Sequence, residues 1–158
     1  MNMGIAAELL QIEQSLTAIV RRSTIRRFHD RVARDAGVEV DRARYHVLRY
    51  VGGHGPLRVS ELAAGLGVEP PTVTRHVQHL VRRGWLARSP HPDDGRVAVV
   101  SVAPDGTAII AKLEAARSSV LAEILGGWAR GDLETLAENL QRFSHDFTTY
   151  VEDSPEDK

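Results

Sequence analysis

Apolar residues recur at three- and four-residue steps along the first part of the chain: Ile5, Leu9, Ile12, Leu16 and Ile19/Val20, then Ile25, Phe28 and Val32. That period predicts one amphipathic helix over about residues 5–35, ended near Gly37. Such a helix is about 45 Å long. A globule of this chain length is only about 40 Å across, so the helix overhangs its own domain. A partner subunit is the simplest cover for its apolar stripe.

The pattern then breaks into shorter pieces. Asp41 is suited to cap a helix running to Val51, which the GGHGP cluster stops. Val59–Gly65 reads as a short helix with Leu62, Ala63 and Leu66 turned inward, and Gly65-Leu66-Gly67 supplies a turn. Pro70 and Pro71 open the next helix, where a missing N–H costs nothing. It carries Val73, Val77, Leu80 and Val81 on one face and closes at Gly84.

After Gly84 the period changes from helical to alternating. Trp85–Arg88 and Val97–Val102 read as two strands of a hairpin whose tip is Ser89–Arg96. Beyond Pro104, Ile109/Ile110, Leu113, Val120/Leu121 and Ile124/Leu125 mark a helix that ends at Gly126-Gly127. Asp132 is suited to cap a final helix carrying Leu133, Leu136, Leu140, Phe143, Phe147 and Tyr150. The expected fold is mainly α with a small β-hairpin wing, a winged helix-turn-helix inserted in a helical dimerisation platform. Its parts are a dimerisation helix over residues 1–40, a reading head over 41–103 and further dimerisation helices over 104–158.

Composition narrows the chemistry. The 158 residues are 42% hydrophobic and 26% charged, enough to build a core, and contain no Cys. Disulfides, thiolate metal sites and Cys nucleophiles are therefore excluded. No stretch is long and apolar enough to span a bilayer as a helix, and MNMGIAAELLQIEQ lacks the features of a signal peptide. A cytoplasmic protein is expected.

The net charge of −1 hides an asymmetry. Residues 1–41 balance six Arg against six acids, 42–96 carry nine Arg and four acids, and 97–158 carry five basic residues and eleven acids. A basic centre gathers a polyanion through local charge, whatever the net value. The other reading is an ordinary solvated surface.

The helix opened by the two prolines sharpens that choice. Opposite its buried face stand Thr72, Thr74, Arg75, His76, Gln78 and His79, with no acid among them. Arg pairs with guanine or phosphate, Gln with adenine, and Thr with the thymine methyl or phosphate, so this face suits a major groove. At the hairpin tip, Arg96 is suited to a narrow minor groove. Alternatively, Asp93 or Asp94 holds it in an ion pair that shapes the loop.

SELAAGLGV, PPTVTRHVQHLVRRGWL and DDGRVAVVSVAPDG, in this order among flanking helices, resemble the MarR family of bacterial winged-helix regulators over essentially the whole chain. The resemblance implies a homodimer formed by the terminal helices on a pseudo-palindromic operator, usually repressing nearby genes. It also implies release by a small, often anionic aromatic compound. Thr72, Thr74, Arg75 and His79 fall on the family's DNA-reading positions, and Asp94 and Arg96 on its wing motif. Three positions depart from the pattern. Gly95 replaces a basic residue, Ala103 replaces a Thr suited to cap, and Arg58 replaces a capping Ser or Thr, leaving the box with Glu61 incomplete and freeing Arg58 to meet a phosphate.

An effector pocket is expected among the first, second and fifth helices counted above, with Arg22, Arg26, His46 and Arg49 as the groups for a carboxylate or phenolate. A solvated face is the competing reading of the arginines. His76 and His79 sit at i, i+3 with no third ligand near in sequence, and His29, His46 and His145 are scattered, so no metal site and no cofactor are expected. H-E-x-x-H, G-x-S-x-G, P-loop and G-x-G-x-x-G motifs are absent, and no catalytic activity is expected. Two rivals stay open: a winged-helix module that docks protein, and a constitutive or zinc-responsive repressor without an organic effector.

Overall fold

The computed structural model describes residues 3–91 and 97–153. Its elements run α1 (Met3–Val20), α2 (Arg22–Asp35), α3 (Arg42–His54), β1 (Leu57–Arg58), α4 (Val59–Leu66), α5 (Pro70–Arg82), β2 (Leu86–Pro90), β3 (Ala98–Val102), α6 (Pro104–Leu125) and α7 (Arg130–Asp153). The strands form one antiparallel sheet in the order β1-β3-β2. Helices with a small hairpin wing are the architecture the period predicts. The chain divides into two compact units, residues 1–118 and 119–158.

Several expectations need correction. The single helix over residues 5–35 is two helices, because Arg21 is extended (φ −52°, ψ 127°) and its carbonyl starts α2 by accepting from the N–H of Thr24 and Ile25. The break falls among β-branched and hydroxyl residues (Ile19, Val20, Ser23, Thr24, Ile25), whose helix propensity is modest, so an interruption there costs little. With 18 residues, α1 is about 27 Å long, so the overhang argument loses its premise. At the end of α3 the helix runs through Gly52 and Gly53 and stops at Gly55, where φ is +77°. The hairpin ladder reaches Pro90, opposite Ala98, so the turn begins two residues later than expected. Asp132 lies in the first turn of α7 instead of capping it; its N–H bonds the Ala129 carbonyl, and its charge still faces the positive helix end. β1 is too short to leave a period in the sequence and exists through its pairing with β3.

The first unit owns the core. Tyr45, Leu48 and Val51 of α3, Leu62 of α4, Val73, Val77 and Leu80 of α5, Val100 of β3 and Leu113 of α6 are all fully buried. Each buried aliphatic side chain contributes about 1.5–3 kcal/mol, and together they hold α5 against α3 and α4. Asp41 caps α3 as expected, its carboxylate accepting from the Arg44 N–H at 2.9 Å. In the second unit, Leu133 and Leu136 are half-buried, whereas Leu140, Phe143, Phe147 and Tyr150 on α7 are exposed.

Tyr45 packs beside His29 and beneath the Arg117 guanidinium, which lies 5.3 Å from its ring centre. Its hydroxyl is buried and has no hydrogen-bond partner among the described residues. Tyr45→Phe is therefore expected to stabilise the fold by about 1 kcal/mol, since it removes an unpaid desolvation cost. Urea unfolding measures this, and a loss of stability would show that the hydroxyl is satisfied.

Candidate nucleic-acid interface

The turn between α4 and α5 is set by Gly67, which closes α4 in the left-handed conformation (φ +60°, ψ 36°) and returns its N–H to Ala63 and Ala64. Pro70 then occupies the first position of α5, and the Thr72 N–H bonds the Glu69 carbonyl at 3.0 Å. Val73, Val77 and Leu80 seat the helix in the core, and the geometry of everything else on α5 follows from that anchoring.

Arg75, Gln78 and Arg82 are exposed at i, i+3 and i+7, on the side opposite the buried valines. Thr72, His76 and His79 are half-buried along the flank toward α3. Thr74 is half-buried on the other flank, and its hydroxyl donates to the Pro70 carbonyl at 2.8 Å. Partial burial, with Arg44, Arg82 and Arg83 nearby, holds the His79 imidazole below the ordinary histidine range, against the smaller opposing pull of Asp41. Arg83 is spent structurally: it donates to the Glu39 carbonyl at 2.9 Å and lies 4.2 Å above the Trp85 ring.

Arg58 stands at the head of α4. Its N–H donates to the Glu61 carboxylate at 2.7 Å, but a guanidinium has no acceptor to return, so only half of the capping box exists. Its buried Nε has no partner among the described residues. Asp94 and Arg96 of the wing lie outside the described residues, and so does the side chain of Arg22.

A cavity of about 430 Å³ opens on the α3 flank of α5. Val47, Leu66, Val68 and Val73 supply its apolar lining, Arg26 and Arg42 its guanidinium groups, and His46 and His76 two imidazoles. Burial first, then Arg42, Arg117, His29 and Arg49, lower the pKa of His46. Arg26 and His46 line this cavity together, and its wall comes from α5, with no residue of the helix after Pro104 among the described residues lining it. Arg49 lines a separate cavity with Ser101, Thr107 and Glu114. Among the described residues no three His, Asp or Glu side chains are grouped to hold a metal ion, and no helix is long and apolar enough to cross a membrane.

The sequence model of the MarR family matches residues 40–98, from the approach to α3 through the first residue of β3. Over 119 residues the chain is 31% identical to the HTH-type transcriptional regulator Mb0904 of Mycobacterium bovis, covering 75% of this chain and 80% of that protein. The chain belongs to the MarR family. The HTH-type regulator YxaD of Bacillus subtilis is 28% identical over 136 residues, covering 86% of this chain and 92% of that protein. A MarR family protein of Bacillus stearothermophilus matches with a TM-score of 0.75 over 94% of this chain and 99% of that one; at 20% identity this is a likeness of fold.

Regulators of the MarR family are DNA-binding transcription factors, not enzymes, and typically act as dimers. In this member the exposed stripe of α5 includes Arg82, which sequence reasoning missed although its spacing of four from Gln78 and seven from Arg75 was legible. Arg88 is exposed on β2. Arg42 and His76 join the cavity through the packing of α3 on α5, for which a single sequence carries no local signal.

Proposed function

We propose that this MarR family regulator works as a homodimer that represses nearby genes from a pseudo-palindromic operator and leaves it when a small anionic aromatic ligand binds. The observation that carries the reading is the exposed, acid-free stripe Arg75–Gln78–Arg82 on a helix anchored by three fully buried side chains. Thr72, Thr74, His76 and His79 flank that stripe, Arg58 contributes a phosphate contact, and Asp94 and Arg96 serve the wing. The functional parts are residues 1–40, 41–103 and 104–158, and the protein works in the cytoplasm.

Uncovered apolar side chains support the dimer. Ile5, Leu9, Ile12 and Ile19 on α1 and Leu140, Phe143 and Phe147 on α7 are all exposed. Apolar surface on this scale marks a protein interface. Two copies of α5 then enter successive major grooves about 34–36 Å apart. The cavity supports the effector: its wall includes Thr72, Val73 and His76 of α5 itself, so a ligand that fills it favours another seat for that helix, and DNA affinity falls by the ligand's differential affinity for the two states.

The test is fluorescence anisotropy of the purified full chain on its own upstream DNA and on a scrambled duplex, across a salt series. The expected result is preference for the native duplex with two chains per site. Equal weak binding to both, vanishing with salt, would overturn the operator reading and turn attention to a protein partner.

A further inference from the structure

The cavity beside α5 carries more groups able to hold an anion than one acid group uses. Arg42 and His46 are four residues apart on α3, and Thr72 and His76 four apart on α5, so each helix offers two polar levels about 5–6 Å from one another. Arg26 adds a cation from α2. Its nearest carboxylate, Asp30, is 3.6 Å away with both side chains well exposed, a pairing that solvent weakens. Among the described residues no Asp or Glu lines the cavity.

The remainder of the lining is apolar, which suits a flat hydrocarbon body and strengthens each charge inside it. A monoanion compensates one level and leaves the other bare. We propose that this cavity takes a small, flat amphiphile bearing two acid groups about 5–6 Å apart, one for each level. The proposal rests on the effector reading above and names the chemical class of that effector.

Histidine chemistry follows from the same lining. His46 faces Arg42 and Arg49 on its own helix, His29 and Arg26 from α2, Arg117 from α6 and His76 from α5. Burial and those cations lower the proton affinity of the imidazole in the empty site. A bound carboxylate reverses the field and raises the proton affinity of His46, so the diacid enters together with a proton. Affinity then rises as pH falls through the bound-state pKa and levels off below the lower pKa of the empty site.

Isothermal titration of the full chain with benzene-1,3-dicarboxylate and with benzoate, near pH 6 and near pH 8, tests this. The diacid is expected to bind about tenfold tighter than the monoacid near pH 6, with a smaller margin near pH 8. Arg42→Met is expected to bring the diacid down to the monoacid, and His46→Asn to flatten the pH dependence. Equal affinity of the two acids, or no binding by either, would overturn the proposal. If benzoate binds as tightly and releases the operator, the effector reading stands and the diacid class falls. If the diacid binds tightly yet the operator stays bound, the site stands and the effector reading falls.

Discussion

Arg75→Ala is expected to cost about 1–3 kcal/mol at each half-site, hence about 2–6 kcal/mol for a dimer on its operator, while the fold is untouched. At fixed salt that is a loss of about thirtyfold to twenty-thousandfold in affinity. Arg75 is exposed in the middle of α5, one turn from Gln78 and two from Arg82, on the side opposite Val73, Val77 and Leu80. Removing an exposed side chain of this kind shifts stability by less than about 0.5 kcal/mol, so the loss belongs to the interface. Operator anisotropy and thermal unfolding of the same preparation separate the two. The salt series adds a diagnosis: a guanidinium on phosphate lowers affinity for all sequences and reduces the salt slope by about one per protomer, whereas one on a guanine edge relaxes specificity at a single base pair. Unchanged operator affinity would show that α5 does not face DNA through this stripe.

The second large effect concerns folding. Gly106→Ala is expected to destabilise the protein by about 2–4 kcal/mol, near the upper range for overpacking. Gly106 is buried in the first turns of α6, where a Cβ would run into the carbonyl oxygen of Trp85, approach its carbonyl carbon to 2.9 Å and meet a Val102 methyl at 3.0 Å. The obstacle is backbone, and it is pinned. The Trp85 carbonyl accepts from the Ala103 N–H at 3.0 Å, and the Trp85 N–H donates to the Leu80 carbonyl at 2.9 Å. Retreat of Trp85 would therefore disturb the end of α5 and the base of the wing together. Gly53→Ala is the control: that glycine is also helical, has nothing within 4 Å of a built Cβ, and its replacement should stabilise by about 0.5–1 kcal/mol. Urea midpoints of the two variants are expected to move in opposite directions. Equal stability of the two would mean that α6 slides to make room.

The elements around α5 were the most legible. Buried residues at 73, 77 and 80 follow one helical period, two prolines mark the start, and the turn back to Trp85 follows a glycine. All are signals within a few residues of one another. The break at Arg21 was harder to read because the apolar stripe continues across it; periodicity reports which face is apolar and is blind to one extended residue between two helices. β1 was invisible for another reason, since two residues carry no alternation and only pairing with β3 makes them a strand.

Among the functional side chains the division has the same origin. The sequence by itself determined that a basic, acid-free helix face stands between a charge-balanced and an acid-rich flank, because charge and helical period are set by neighbours one or two turns away. It also determined that Asp41 caps α3, a contact spanning three residues. Only the tertiary structure decided which cations remain available: Arg83 is taken by the Glu39 carbonyl 44 residues away, while Arg82 beside it stays exposed. It also decided that His46 and His76 share one cavity with Arg42 and that Arg49 lines another. Those outcomes depend on how α3 and α5 pack, and packing is a sum over contacts between residues far apart in the chain, to which no local period is sensitive.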